Sequence, residues 1–122
     1  MNMLKVIALM RLRRDILREN AKKIYEEEHV PLVMQLMPMI RDYRRNYLDL
    51  GVSEIQEDHH SDFDVITELW FAQEEDRNSF LNRMRSGDEG RRLRKDSQRF
   101  LQAGTTRMFL VQESITKSAT RY

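Results

Sequence analysis

Residues Phe63 to Phe71 (FDVITELWF) alternate strictly, with Phe63, Val65, Thr67, Leu69 and Phe71 on one side and Asp64, Ile66, Glu68 and Trp70 on the other. A period of two fits an extended strand and not a helix. The first side is a core face. The second mixes carboxylates with Ile66 and Trp70, so it reads as half-buried and requires a cover of its own.

Three further runs have strand character. Met3 to Leu12 (MLKVIALMRL) is apolar and too short for an autonomous helix, and its alternation sets Lys5, Ile7 and Leu9 against Leu4, Val6, Ala8 and Met10. Ile40 to Leu48 sets Tyr43, Arg45 and Tyr47 against Arg44 and Asn46, and Thr105 to Glu113 forms a last strand. Between them the period lengthens. From Asp15, a candidate N-cap, to about Met37, the residues Leu17, Ala21, Ile24 and Glu28 form one stripe, with Tyr25, His29 and Leu32 beside it. Pro31 lacks an N–H and crowds the carbonyl of Glu27, so a kink is expected there. Helical spacing returns from Glu74 to Arg85 and from about Glu89 to Leu101, interrupted at Ser86-Gly87-Asp88. Asp49 to Ser61, with one glycine and the adjacent His59 and His60, reads as a loop. The order is βαββαβ, a ferredoxin-like α+β fold with a four-stranded antiparallel sheet and helices on one face. The uncovered face predicts a homodimer.

Composition narrows the function. The chain has 122 residues, enough for one domain, expected over 1–113 with a loose tail over 114–122. Its 21 Lys and Arg against 20 Asp and Glu leave a net charge of +1, so no broad field attracts nucleic acid or anionic lipid. The basic run Arg91, Arg92, Arg94, Lys95 is bracketed by acids and lacks an aromatic platform. With no cysteine, thiolate metal sites and thiol nucleophiles are excluded, and the adjacent histidines lack a third ligand at metal-binding spacing. No metal or cofactor site is expected. Apolar runs fall short of the ~20 residues of a membrane helix, and a cytoplasmic protein is expected. The eight methionines read as adaptable core or pocket filler.

The segments MLKVIALMR, IYEEEHVPLVMQLMP, DYRRNY, FDVITELWFAQEED and RFLQAGTTRMFLVQE, in this order, resemble the EthD-like family of the dimeric α/β-barrel superfamily. The resemblance implies a homodimer whose two sheets face each other, with a cavity between sheet and helices in each subunit. The superfamily includes muconolactone isomerases, a methylmuconolactone methylisomerase, polyketide cyclases, dehydratase-like proteins and cofactor-free quinone-forming monooxygenases. The chain departs from the usual pattern in lacking a Pro-Gly turn and a Ser or Thr cap after the first strand, where it has RLRRD. It also carries Leu69 where one relative has a cysteine.

His29 matches the cavity histidine of HVPL and is the candidate general base or acid, because imidazole titrates near neutrality. The competing reading is that it only bonds a carbonyl freed by Pro31. Tyr43 matches a cavity tyrosine able to stabilise an enolate oxygen, with Tyr25 one helical turn before His29 beside it. His59 or His60 is a candidate second proton carrier. Lys5, Ile7, Leu9, Tyr47, Val65, Thr67, Leu69 and Phe80 are candidate substrate contacts, several of them core residues first. Glu68 is assigned to the dimer face, paired with Arg45 or Arg107. These residues suit proton transfer on a polyketide-like or aromatic-derived carbonyl compound, as in a cyclase, dehydratase or lactone isomerase. The alternatives are a cofactor-independent monooxygenase and a non-enzymatic ligand-binding accessory protein.

Overall fold

The computed structural model describes residues 3–49 and 62–119. Strand β1 (Leu4–Met10) leads through a short link to α1 (Arg18–Ile24), a π-helical turn (Tyr25–His29) and α2 (Val30–Leu36). Next come β2 (Asp42–Tyr47), β3 (Val65–Phe71), α3 (Glu74–Ser86), α4 (Asp88–Ser97) and β4 (Arg107–Val111). The strands form one antiparallel sheet in the order β2-β3-β1-β4, the expected ferredoxin-like arrangement. None of the described helices is long and apolar enough to cross a membrane.

The alternation read in β3 is the alternation observed. Val65, Thr67, Leu69 and Phe71 are buried under the helices, and Ile66, Glu68 and Trp70 lie half-buried on the open face. In β1 the buried residues are Val6, Ala8 and Met10. Antiparallel pairing sets Lys5, Ile7 and Leu9 opposite Trp70, Glu68 and Ile66, so these three candidate substrate contacts belong to the open face instead. The core forms two clusters on the helix side. One joins Val6, Val33, Leu69, Phe71 and Phe80, and the other joins Ala8, Met10, Tyr25, Val65 and Phe100.

Helix ends depart from the sequence reading for local reasons. Asp15 caps nothing: it takes both arms of Arg13, at 2.9 and 2.6 Å, and α1 begins three residues later after Leu17. Pro31 stands in the first turn of α2, directly after the π-helical turn, where the Val30 N–H reaches back to the Tyr25 carbonyl. The widened turn carries the helix past a residue that has no N–H to give. In α3 and α4, acidic first turns (Glu74, Glu75, Asp76; Asp88, Glu89) and basic last turns (Arg83, Arg85; Arg94, Lys95) complement the helix dipoles. Gly104, at φ +75°, makes the left-handed turn before β4.

Asp64 does not sit on the open face with Glu68. It is fully buried just ahead of β3, where its carboxylate accepts the Leu12 N–H at 2.9 Å and Arg14 Nη1 at 2.9 Å, with Arg18 Nη1 at 3.4 Å. This cluster ties the β1–α1 link to the start of β3. Within the subunit Glu68 faces Lys5 at 3.4 Å and Asn46 at 3.0 Å, and Arg45 is instead taken by Glu26.

Candidate functional site

A cavity of about 260 Å³ opens between the sheet and the helices. Its apolar walls include Met10, Leu69, Phe80, Met84, Leu93 and Met108, and its polar groups are His29, Tyr43, Thr67, Arg94, Ser97 and Thr106. Three methionines thus serve as pocket filler. Of the candidate residues, His29, Tyr43, Thr67, Leu69 and Phe80 reach the cavity. Val65 is buried in the core beside it, and His59 and His60 lie outside the described residues.

His29 is only 6% exposed, at the end of the π-helical turn. Its Nδ1 lies 2.7 Å from Asp96 Oδ2, so Nδ1–H donates to the carboxylate and Nε2 is left with the lone pair. Nε2 has no hydrogen-bond partner among the described residues. The histidine therefore does not serve a carbonyl freed by Pro31. Burial pulls its pKa below the ordinary imidazole value, against the opposing pull of Asp96, so the ring is neutral at neutral pH. Asp96 is itself held by Arg99, which reaches Oδ1 through Nε at 3.0 Å and Nη2 at 2.9 Å and continues to Glu28 at 2.8 Å. Burial raises the Asp96 carboxyl, but the His29 hydrogen bond and the Arg99 charge outweigh it, and the net shift is downward. An ionised Asp96 fixes the tautomer and the angle of His29. The sequence reading missed Asp96. Its only trace there is as one of the acids that bracket the basic run on the last helix.

Tyr25 is fully buried and does not line the cavity. Its hydroxyl lies 2.8 Å from Thr67 Oγ1 and 2.9 Å from the Tyr43 hydroxyl, and Thr67 Oγ1 in turn reaches Met10 Sδ at 3.5 Å. Its ring stacks on Phe100 at 4.7 Å and meets His29 edge-on at 5.7 Å. Tyr25 therefore lies behind the cavity wall, bonded to Tyr43 and Thr67, which face the cavity. The chain of hydroxyls can point its protons either way. Run toward Met10, it ends on a weak sulfur acceptor; reversed, Thr67 donates to Tyr25, Tyr25 to Tyr43, and the Tyr43 O–H is free for an oxygen in the cavity. Only the weak sulfur bond is lost in the reversal. Burial raises the Tyr43 phenol well above its usual range, with Tyr25 adding to the shift, so Tyr43 remains a protonated donor.

Tyr47 turns away from the cavity: it donates to Glu26 at 2.6 Å, and the same carboxylate takes Arg45 through Nε at 2.9 Å and Nη2 at 2.6 Å. Arg45 Nη1 also reaches the Tyr43 carbonyl at 2.7 Å, and the guanidinium lies 4.8 Å from the Tyr43 ring centroid. This cluster braces Tyr43 from behind. Among the described residues no group of three or more His, Asp or Glu is arranged to hold a metal ion.

The EthD domain pattern matches residues 13–104, which include the helix carrying His29, strands β2 and β3, and Asp96. The chain belongs to the EthD family. An EthD family protein from Bacillus halodurans has a similar structure, with TM-score 0.63 and 24% identity over 93% of this chain and all of that one. A dimeric ferredoxin-like protein from Jannaschia sp. is 10% identical with TM-score 0.58, over 92% of this chain and all of that one. The hydroxynitrile lyase from Passiflora edulis is 11% identical with TM-score 0.60, over 94% of this chain and 98% of that one. At these identities the likeness is one of fold. No functionally curated protein matches the sequence.

Proposed function

We propose that this EthD-family protein is a cofactor-free enzyme of the lyase or isomerase type that moves a proton at a carbon next to a carbonyl group. The observation that carries the reading is a neutral histidine, oriented by an ionised Asp96, in the same cavity as a protonated Tyr43. The substrate carbonyl oxygen accepts a hydrogen bond from the Tyr43 hydroxyl. His29 Nε2 takes the proton from the adjacent carbon, the C–H electron pair enters the new C=C bond, and the enolate oxygen gains the charge that Tyr43 stabilises. The imidazolium then returns its proton to another carbon or to a departing oxygen, which gives isomerisation or elimination. Asp96 stabilises the imidazolium without taking its proton. The apolar walls suit an aromatic-derived or polyketide-like body.

The open face of the sheet offers a seat for a second copy, in keeping with the dimeric ferredoxin-like proteins that share the fold. The test of the function is exchange of the proton next to the carbonyl with solvent deuterium, followed by NMR across a panel of aryl ketones and cyclic unsaturated lactones. Wild type should catalyse exchange under nitrogen, and His29→Ala should lose ~10²–10⁴ of the rate with the dimer intact. Equal rates in the two proteins would remove His29 from the mechanism, and a strict need for oxygen would favour the monooxygenase reading.

A further inference from the structure

The cavity has an uneven charge. Among the described residues that line it none is acidic, and Arg94 alone carries a full positive charge. Most arginines of the described residues face a carboxylate: Arg13 meets Asp15, Arg45 meets Glu26, and Arg99 meets Asp96 and Glu28. Arg94 has no ion-pair partner among the described residues. Among the described residues its hydrogen bond runs from Nη1 to the Met84 carbonyl. That bond holds one corner of the guanidinium, and the fork of Nε and Nη2 remains for a planar anion.

The placement has a backbone cause. At Gly90 helices α3 and α4 approach so closely that a Cβ would come within 2.6 Å of the Met84 carbonyl oxygen. One turn further along α4, Arg94 therefore meets the same carbonyl. Leu93, Arg94 and Ser97 share the face of α4 that lines the cavity, and Asp96, which orients His29, belongs to the same helix. A ligand anion at Arg94 and a reacting carbon at His29 are thus set by one rigid element.

We propose that Arg94 is the anchor for a carboxylate on the substrate, so that the cavity takes a small carbonyl compound with an apolar, ring-sized body and an acid group at one end. This rests on the proton-transfer reading of the site for the reacting end and not for the acid end. The volume, slightly below the ~300 Å³ at which ligand pockets commonly begin, restricts the body to about one ring. The exposed position of Arg94 leaves the acid group at the cavity mouth, where it keeps part of its hydration.

The test compares 4-acetylbenzoate with its neutral methyl ester, by titration calorimetry and by NMR shifts on the full chain. Wild type should bind the acid ~10–100-fold more tightly than the ester, with the preference falling as salt is raised. Arg94→Gln should abolish the preference by bringing the affinity for the acid down to about that for the ester, whereas Arg94→Lys should keep a part of it because the charge remains without the fork. Circular dichroism confirms that each variant is folded. An equal affinity for acid and ester in wild type, an acid preference that survives in Arg94→Gln, or saturation by neither compound overturns the proposal. His29→Ala should keep the acid preference, so a protein that binds the acid through Arg94 but exchanges no proton would refute the proton-transfer reading and leave this one standing.

Discussion

The two faces of the sheet are made from alternate residues of the same strands, and they treat polar groups in opposite ways. On the helix side, Thr67, Tyr25 and Tyr43 are joined in a chain of neutral hydroxyls and the buried histidine is held neutral, while the Arg45–Glu26 ion pair is set off at the edge strand β2. On the open side the polar groups stay charged. Lys5 meets Glu113 at 2.6 Å and Glu68 at 3.4 Å, and the cations of Lys5 and Arg44 stand 4.6 and 5.1 Å from the Trp70 ring centroid. The Glu113 hydrogen bond raises the Lys5 pKa above its usual value against the cost of burial. A dry face favours groups in their neutral form, whereas a half-wet face keeps permanent ions that can set contacts with a partner.

Truncation of an aromatic on each face should break this comparison most sharply if it is mistaken. Phe100 is fully buried against Tyr25 and, at 4.9 Å, against His29, so Phe100→Ala should cost ~3–5 kcal/mol in chemical denaturation. Phe109 on the open side of β4 is 45% exposed, and Phe109→Ala should change that stability by less than ~0.5 kcal/mol in the dissociated subunit while weakening the dimer in sedimentation velocity. Similar losses of subunit stability would mean that the faces are not distinct.

The next effect is on turnover. Tyr43→Phe removes the donor at the cavity and should lower the exchange rate ~10²–10³-fold, whereas Glu68→Gln on the open face should leave it within about twofold. A third outcome concerns pH. Because burial depresses the His29 pKa, the unfolded chain binds more protons at this site than the folded one between the two pKa values. Stability should therefore decline as pH falls below about 6.5 and level off once pH is under the folded value. The acidic limb of the activity profile should likewise lie below about 6.5. Asp96→Asn removes a group that raises the His29 pKa, so it should move that limb to lower pH while reducing the rate; an unmoved limb would separate Asp96 from the histidine. Smallest of all, Lys5→Met should cost less than ~1 kcal/mol, and that cost should shrink in salt.

Much of the architecture was legible because period-two and helical patterns follow from burial of one face at a time. The β3 alternation identified Thr67 and Leu69 as inward residues, and the helix pattern brought Tyr25 and His29 to one stripe. The same logic failed where the period did not say which face was which. Lys5, Ile7 and Leu9 alternate as cleanly as Val6, Ala8 and Met10, and pairing with β3 assigned the former to the open face. Asp64 shares its phase with Glu68 yet is buried, because the backbone ahead of β3 turns its carboxylate toward Leu12, Arg14 and Arg18. Tyr47 shares its face with Tyr43, but the nearby Glu26 draws its hydroxyl aside.

Local order along the chain was enough to establish the βαββαβ succession, the helix break at Gly87 and the family to which the chain belongs, whereas the kink expected at Pro31 is replaced by a π-helical turn that carries the helix on. Local order could not establish the pairing of His29 with Asp96, separated by 67 positions, or the meeting of Tyr25, Tyr43 and Thr67 on three different elements. Periodicity reports how each element meets its immediate surroundings, while the arrangement of a cavity's polar groups depends on distances between elements. Those distances are set when the side chains pack, by contacts such as the close passage of α3 and α4 at Gly90.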